Sequence, residues 1–100
     1  MDIRFLMRQA QAMQDKLKAA QEAVRAEGTS GGELVKVVLN GAKELQSIAI
    51  AREAMDPEDP SMLEDLLLAA FKDAAAKADA EMQKHTAGFA GGLNIPGLKL

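Results

Sequence analysis

"ELVKVVLNGAKELQSIAI", from Glu33 to Ile50, decides the fold of this 100-residue chain. Leu34, Lys36 and Val38 alternate with Val35, Val37 and Leu39. That is the two-residue period of a strand, carried largely by β-branched side chains. Asn40-Gly41 is a short-range turn signal. Leu45, Ile48 and Ile50 carry a less regular return strand. The stretch reads as a β-hairpin, which on its own is too small to be stable, so the flanking segments have to complete the core.

On the amino-terminal side, "EGTSGGE" (Glu27 to Glu33) supplies turns through Gly28, Gly31 and Gly32. The Lys-Ser/Thr pair of a phosphate loop is missing, so a nucleotide cradle is not expected. Residues from about 24 to 29 offer a short third strand, though of poor propensity. Before them, residues 3 to about 25 read as one long helix. Ile3, Leu6, Ala10, Met13, Leu17, Ala20 and Val24 step by three and four, like an a/d seam. Phe5, Ala12 and Ala19 widen the apolar arc on one side. Arg4, Arg8, Gln11, Asp15, Lys18, Glu22 and Arg25 recur opposite, as a solvated face. So wide an arc predicts packing on more than one element.

On the carboxyl-terminal side, "REAMDPEDPS" is an acidic loop punctuated by proline. Asp59-Pro60 fits a helix cap with Pro at the first helical position, and Ser61 with Glu64 fits a capping box one turn later. A second helix is expected from about residue 60 to 86, with a stripe of Leu63, Leu67, Ala70, Phe71, Ala74, Ala78 and Met82. Its many alanines let another backbone approach closely. From Ala87 onward, four Gly and one Pro predict a flexible tail. The expected fold is α+β: a long helix, a small antiparallel sheet of two or three strands, a second long helix and the tail. One α-β-β(-β)-α domain spans residues 1–87, and the Gly/Pro-containing tail spans 88–100.

Composition narrows the function. Nineteen Ala stand against three Phe, with no Trp or Tyr. A core of small side chains gains little from burial, which predicts a partner chain. There is no Cys, so disulfides, thiolate metal sites and Cys nucleophiles are excluded. No apolar run reaches a membrane span and no signal-peptide core is visible, so a cytoplasmic location without membrane attachment is expected. The net charge of −3 argues against indiscriminate polyanion binding, but the charge is uneven. Lys43 to Asp65 holds two basic and seven acidic residues, whereas both ends of the chain are mildly basic. His85, the sole histidine, fits a favourable contact with a helix C-terminus better than catalysis. Asp56, Glu58 and Asp59 lack the ordered ligand ladder of a calcium loop. The methionines fit core and interface filling better than a ligand set. No catalytic residue, metal or cofactor is expected.

Four segments in order carry a resemblance: "FLMRQAQAMQDKLKAAQE", "GGELVKVVLNG", "MLEDLLLAAFKDAAAKA" and a tail with "GGLNIPGL". Together they resemble the YbaB/EbfC family of bacterial nucleoid-associated proteins over essentially the whole chain. The resemblance implies a tweezer-like homodimer that binds double-stranded DNA, with roles in chromosome organisation and gene regulation at the nucleoid. It carries over a basic residue at Arg8, within "MRQAQ". If the two helices project side by side and antiparallel, Arg4, Arg8, the amino terminus, Lys77, Lys84 and His85 gather near one tip. These are the expected DNA contacts. Leu6, Met13, Leu17, Leu67 and Phe71 are the expected dimer interface. Few neutralised phosphates predict a shallow salt dependence, far from the slope of roughly −10 of a strongly charged repressor. The other reading is a protein-interaction module that recruits replication or recombination proteins.

Overall fold

The computed structural model describes the backbone of residues 2–93 and the side chains of residues 2–85. The elements are α1 (Ile3–Ala23), β1 (Ala26–Ser30), β2 (Val35–Leu39), β3 (Leu45–Ile50), a 3-10 turn (Arg52–Ala54) and α2 (Pro60–Leu93). The three strands form one antiparallel sheet in the order β1-β2-β3. The expected α+β architecture is present, with three strands rather than two.

One face of the sheet makes the core. Val35, Val37 and Leu39 of β2 are fully buried under Ala70 and Ala74 of α2. The two-residue period puts those three side chains on one face, with Lys36 and Val38 on the other. The alanines of α2 bring its backbone close to the sheet. Gly28 of β1 completes this approach: a Cβ there would run into the Ala70 carbonyl and the Ala74 nitrogen. That explains how a segment as poor in β-propensity as Ala26–Ser30 becomes a strand. Its side chains are small because α2 lies directly on it.

The two turns differ in how they are built. Between β1 and β2, Gly31, Gly32 and Glu33 all have positive φ. Between β2 and β3, Asn40-Gly41 does mark the turn, yet the positive φ falls at Lys43 (62°). Buried Asn40 organises this loop. Its side-chain oxygen accepts from the N–H groups of Ala42 (3.0 Å) and Glu44 (2.9 Å), and its amide donates to the Glu44 carboxylate (2.8 Å). Gly41 serves packing instead: its N–H donates to the Gln21 carbonyl (2.8 Å), and a Cβ would lie 2.9 Å from the Gln21 Cα. The end of α1 is thereby tied to the hairpin loop. A bulge in β3 skips Gln46 and returns Leu45 to register with Leu39.

Both helix starts are capped by aspartate. Asp2 accepts from the Arg4 N–H (3.1 Å). Asp59 accepts from the Met62 N–H (3.3 Å), with Pro60 as the first helical residue, so the Asp59-Pro60 signal sets this boundary. α2 continues to Leu93, past the expected end of the domain at residue 87. The remainder of the expected tail, 94–100, lies outside the described residues. α1 has no buried residue. Its seam becomes covered only towards its end, where Leu17 and Ala20 are half-buried and Val24, just beyond, packs with Ala78 and Met82. Residues 3–16 are all exposed. The result is extended: 67 × 27 × 16 Å, with a radius of gyration of 18.8 Å. A compact chain of this length would have about 13 Å.

Candidate nucleic-acid interface

The cations fall into two groups. Arg4 and Arg8 stand on the exposed first half of α1, and among the described residues neither side chain meets a carboxylate. At 1.5 Å per residue they lie about 30 and 24 Å along the helix from Val24, where α1 meets α2. The second group sits at that meeting point. There an open groove of about 750 Å3 runs along β1, lined by the apolar Val24, Ala26 and Val38, by the cationic Arg25 and Lys77 with His85, and by the carboxylates of Glu27 and Glu81. Lys77, Glu81 and His85 are spaced by four along α2, so one helical face presents all three to the groove.

Ion pairs tie this groove together. Lys36 faces Glu27 (4.0 Å), and Lys84 meets Glu81 (3.2 Å). Lys77 Nζ donates to the Asp73 carboxylate (3.1 Å) and to the Glu27 carbonyl (3.0 Å). The Thr29 N–H donates to the same carboxylate (3.1 Å). Together these two hydrogen bonds hold the Asp73 carboxyl below its usual range, the backbone one contributing most. Asp73 and Lys77 also occupy two backbone groups on the outer edge of β1, the Thr29 N–H and the Glu27 carbonyl. The Ser30 hydroxyl adds a further tie to the Leu66 carbonyl (2.6 Å).

The sequence-derived contacts therefore do not share one tip. Lys77 and His85 line the groove and Lys84 borders it, at the root of α1. Arg4 and Arg8 lie far out along α1, and the amino terminus itself lies outside the described residues. Arg25 belongs to the groove, although the heptad pattern placed it only on a solvated face. α1 ends at Ala23, two residues short of the end read from its pattern, and that frees Arg25 from the helix face. The acidic loop around Asp56 forms an Asx turn with the Glu58 N–H (2.9 Å), and among the described residues no three acidic or histidine groups come together to hold a metal ion.

A second surface is apolar. α2 covers β1 and β2 but leaves the same face of β3 open. Leu45 and Ile48 are each about half exposed there, and Phe71 and Leu68 of α2 and Met55 after β3 are exposed as well. No helix among the described residues is long and apolar enough to cross a membrane.

Fold and surface define a small α+β protein that presents cations on exposed helices and at their root. The chain belongs to the YbaB/EbfC DNA-binding family, whose model matches residues 1–93. It is 49% identical over 99 residues to a nucleoid-associated protein of Paramagnetospirillum magneticum, covering 95% of this chain and 92% of that relative. It is 46% identical over 100 residues to one of Caldanaerobacter subterraneus, covering 97% and 90%. An uncharacterized Helicobacter pylori protein of known crystal structure has the same fold, with a TM-score of 0.73 at 20% identity over 90% of this chain and 98% of that one.

Proposed function

We propose that this chain is a nucleoid-associated protein that acts as a homodimer and holds double-stranded DNA mainly through its phosphates. Its place is the nucleoid, in the cytoplasm, with effects on chromosome organisation and gene regulation. Family membership supports DNA as the partner. The observation that carries the phosphate reading is the placing of the cations. A chain of net charge −3 keeps Arg4 and Arg8 on an exposed helix, where neither meets a carboxylate among the described residues, and gathers Arg25, Lys77 and His85 around one groove that Glu27 and Glu81 also line. With three Phe and neither Tyr nor Trp, stacking on unpaired bases is a poor alternative.

The homodimer rests on the open face of β3. Contiguous apolar surface beside a core of alanines marks an interaction site. A second copy supplies what is missing, with Leu67 and Phe71 next to Leu45 and Ile48 at its centre. Leu6, Met13 and Leu17 extend the contact along α1. The test is anisotropy of a labelled mixed-sequence duplex titrated with the full chain across a salt series, with sedimentation velocity in parallel. The expected outcome is a dimer that binds at low salt, with log K falling linearly in log salt on a slope shallower than about −10. A folded monomer at micromolar concentration, or no binding at low salt, overturns the proposal.

A further inference from the structure

We infer that Arg25 is a preorganised phosphate fork, the groove's principal contact with the DNA backbone. The lysine that lines the groove is already engaged, Lys77 by Asp73, and so are two lysines that meet its carboxylates, Lys36 by Glu27 and Lys84 by Glu81. Arg25 meets no carboxylate among the described residues. Its guanidinium is held by backbone instead. Nη1 donates to the Glu22 carbonyl (2.6 Å) and to the Val24 carbonyl (2.8 Å). These two bonds use both N–H groups of Nη1. They leave the edge formed by Nε and Nη2 unspent, and that edge matches two oxygens of one phosphate.

Two features make this more than a helix cap. The side chain is exposed and stands at the rim of the groove. Its charge is not cancelled, because carbonyls accept the bonds and no carboxylate among the described residues meets it. A surface arginine loses rotamer freedom when it binds a phosphate. Here the carbonyls of Glu22 and Val24 have already fixed the head group, so less is lost on binding. Val24, Ala26 and Val38 bring no charge to the groove, and the two carboxylates that line it, Glu27 and Glu81, each face a lysine.

The inference rests on the DNA-binding reading and is tested so that the two fail separately. Wild type, Arg25→Gln and Arg25→Lys are titrated against the same duplex across salt, with thermal melting of each. Arg25→Gln is expected to bind about tenfold more weakly at ~0.1 M salt, the size of one charge-assisted hydrogen-bonded contact. Its salt slope falls by about 0.9 for each groove engaged. Arg25→Lys keeps the charge and loses the fork, so its affinity drops while its slope stays near wild type. Should Arg25→Gln fail to fold, Arg25→Lys decides alone by that split. A lower melting temperature with unchanged affinity and slope in both variants reduces Arg25 to a cap and overturns the inference, leaving the DNA reading intact. Absence of binding by wild type at low salt overturns both.

Discussion

Gly28 sets the distance between helix and sheet, so its substitution reports how much of the fold depends on that distance. A methyl group there meets main-chain atoms of α2 at Ala70 and Ala74, which cannot rotate away as a side chain would. Gly28→Ala is expected to cost about 3 kcal/mol, the upper end for overpacking, and to lower Tm by roughly 10–20 °C in a thermal melt. Survival of wild-type Tm would mean that α2 sits on the sheet more loosely than the core requires. Asp73 acts at the same seam through charge. Its carboxyl is held below the ordinary value of 3.8 by the Thr29 N–H and Lys77. The folded protein thus releases this proton more readily than the unfolded chain, and Asp73 stabilises the fold above the ordinary carboxylate range. That contribution is lost as pH falls through the lowered folded value. Asp73→Asn should melt below wild type at pH 7, and the gap between the two should close as pH falls below 4. A gap that stays constant with pH would assign the effect to shape rather than charge.

At the level of elements, some of the fold could be read from the residues and some could not. The β2–β3 hairpin was legible because Val35, Val37 and Leu39 are a local pattern. The start of α2 was legible because Asp59-Pro60 is a local cap. β1 was barely legible, since Ala26, Gly28 and Thr29 are strand residues only under an alanine-faced helix some 40 positions away. The Asn40-Gly41 dipeptide located its turn but hid its geometry, because Gly41 answers to Gln21 and Met82 rather than to a positive φ. The groove was the least legible. Arg25, Lys77 and His85 meet only because α1 ends where α2 passes β1, and no spacing along the chain records that. α1 itself illustrates a helix whose pattern exceeds its cover. Residues 3–16 carry a full seam and bury none of it, whereas Val24 is buried and Gln21 is tied to Gly41. Short helices without tertiary support are marginal in water. In the isolated protomer, amide exchange should therefore be fast over the first half of α1 and slow near its end, and dimer contact along Leu6 and Met13 should slow it. Arg4→Glu with Arg8→Glu should leave stability within about 0.5 kcal/mol of wild type, as expected for exposed positions, while weakening duplex binding. A loss of Tm matching the loss of binding would refute the division of α1 into an anchored end and a cationic arm.

The whole molecule is long, thin and incompletely covered, and those properties argue for one another. A chain with a radius of gyration of 18.8 Å has spent part of its length on surface instead of core. Among the described residues the buried core is five alanines with four larger side chains, Val24, Val35, Val37 and Leu39. Asp73 and Lys77 occupy two backbone groups on the outer edge of β1, whereas Leu45 and Ile48 of β3 stand about half exposed. Ile48 and Phe71 are close to half exposed in the single chain, so aspartate at both positions costs the isolated protomer little directly. In the dimer the same substitutions bury charges without partners. Ile48→Asp with Phe71→Asp is therefore expected to sediment as a monomer at micromolar concentration, where wild type is expected to sediment as the proposed dimer. Wild-type Tm should rise with protein concentration, and that of the variant should not. DNA binding should follow the same division. Two arms on one particle meet the duplex at a high effective concentration, and uncoupling them removes a gain of about 10²–10⁴ in avidity without touching a single cation. The salt slope should fall to about half, because each monomer neutralises only its own phosphates. A monomeric variant that kept wild-type affinity and slope would show that one arm suffices, and that the uncovered face of β3 has no part in holding DNA.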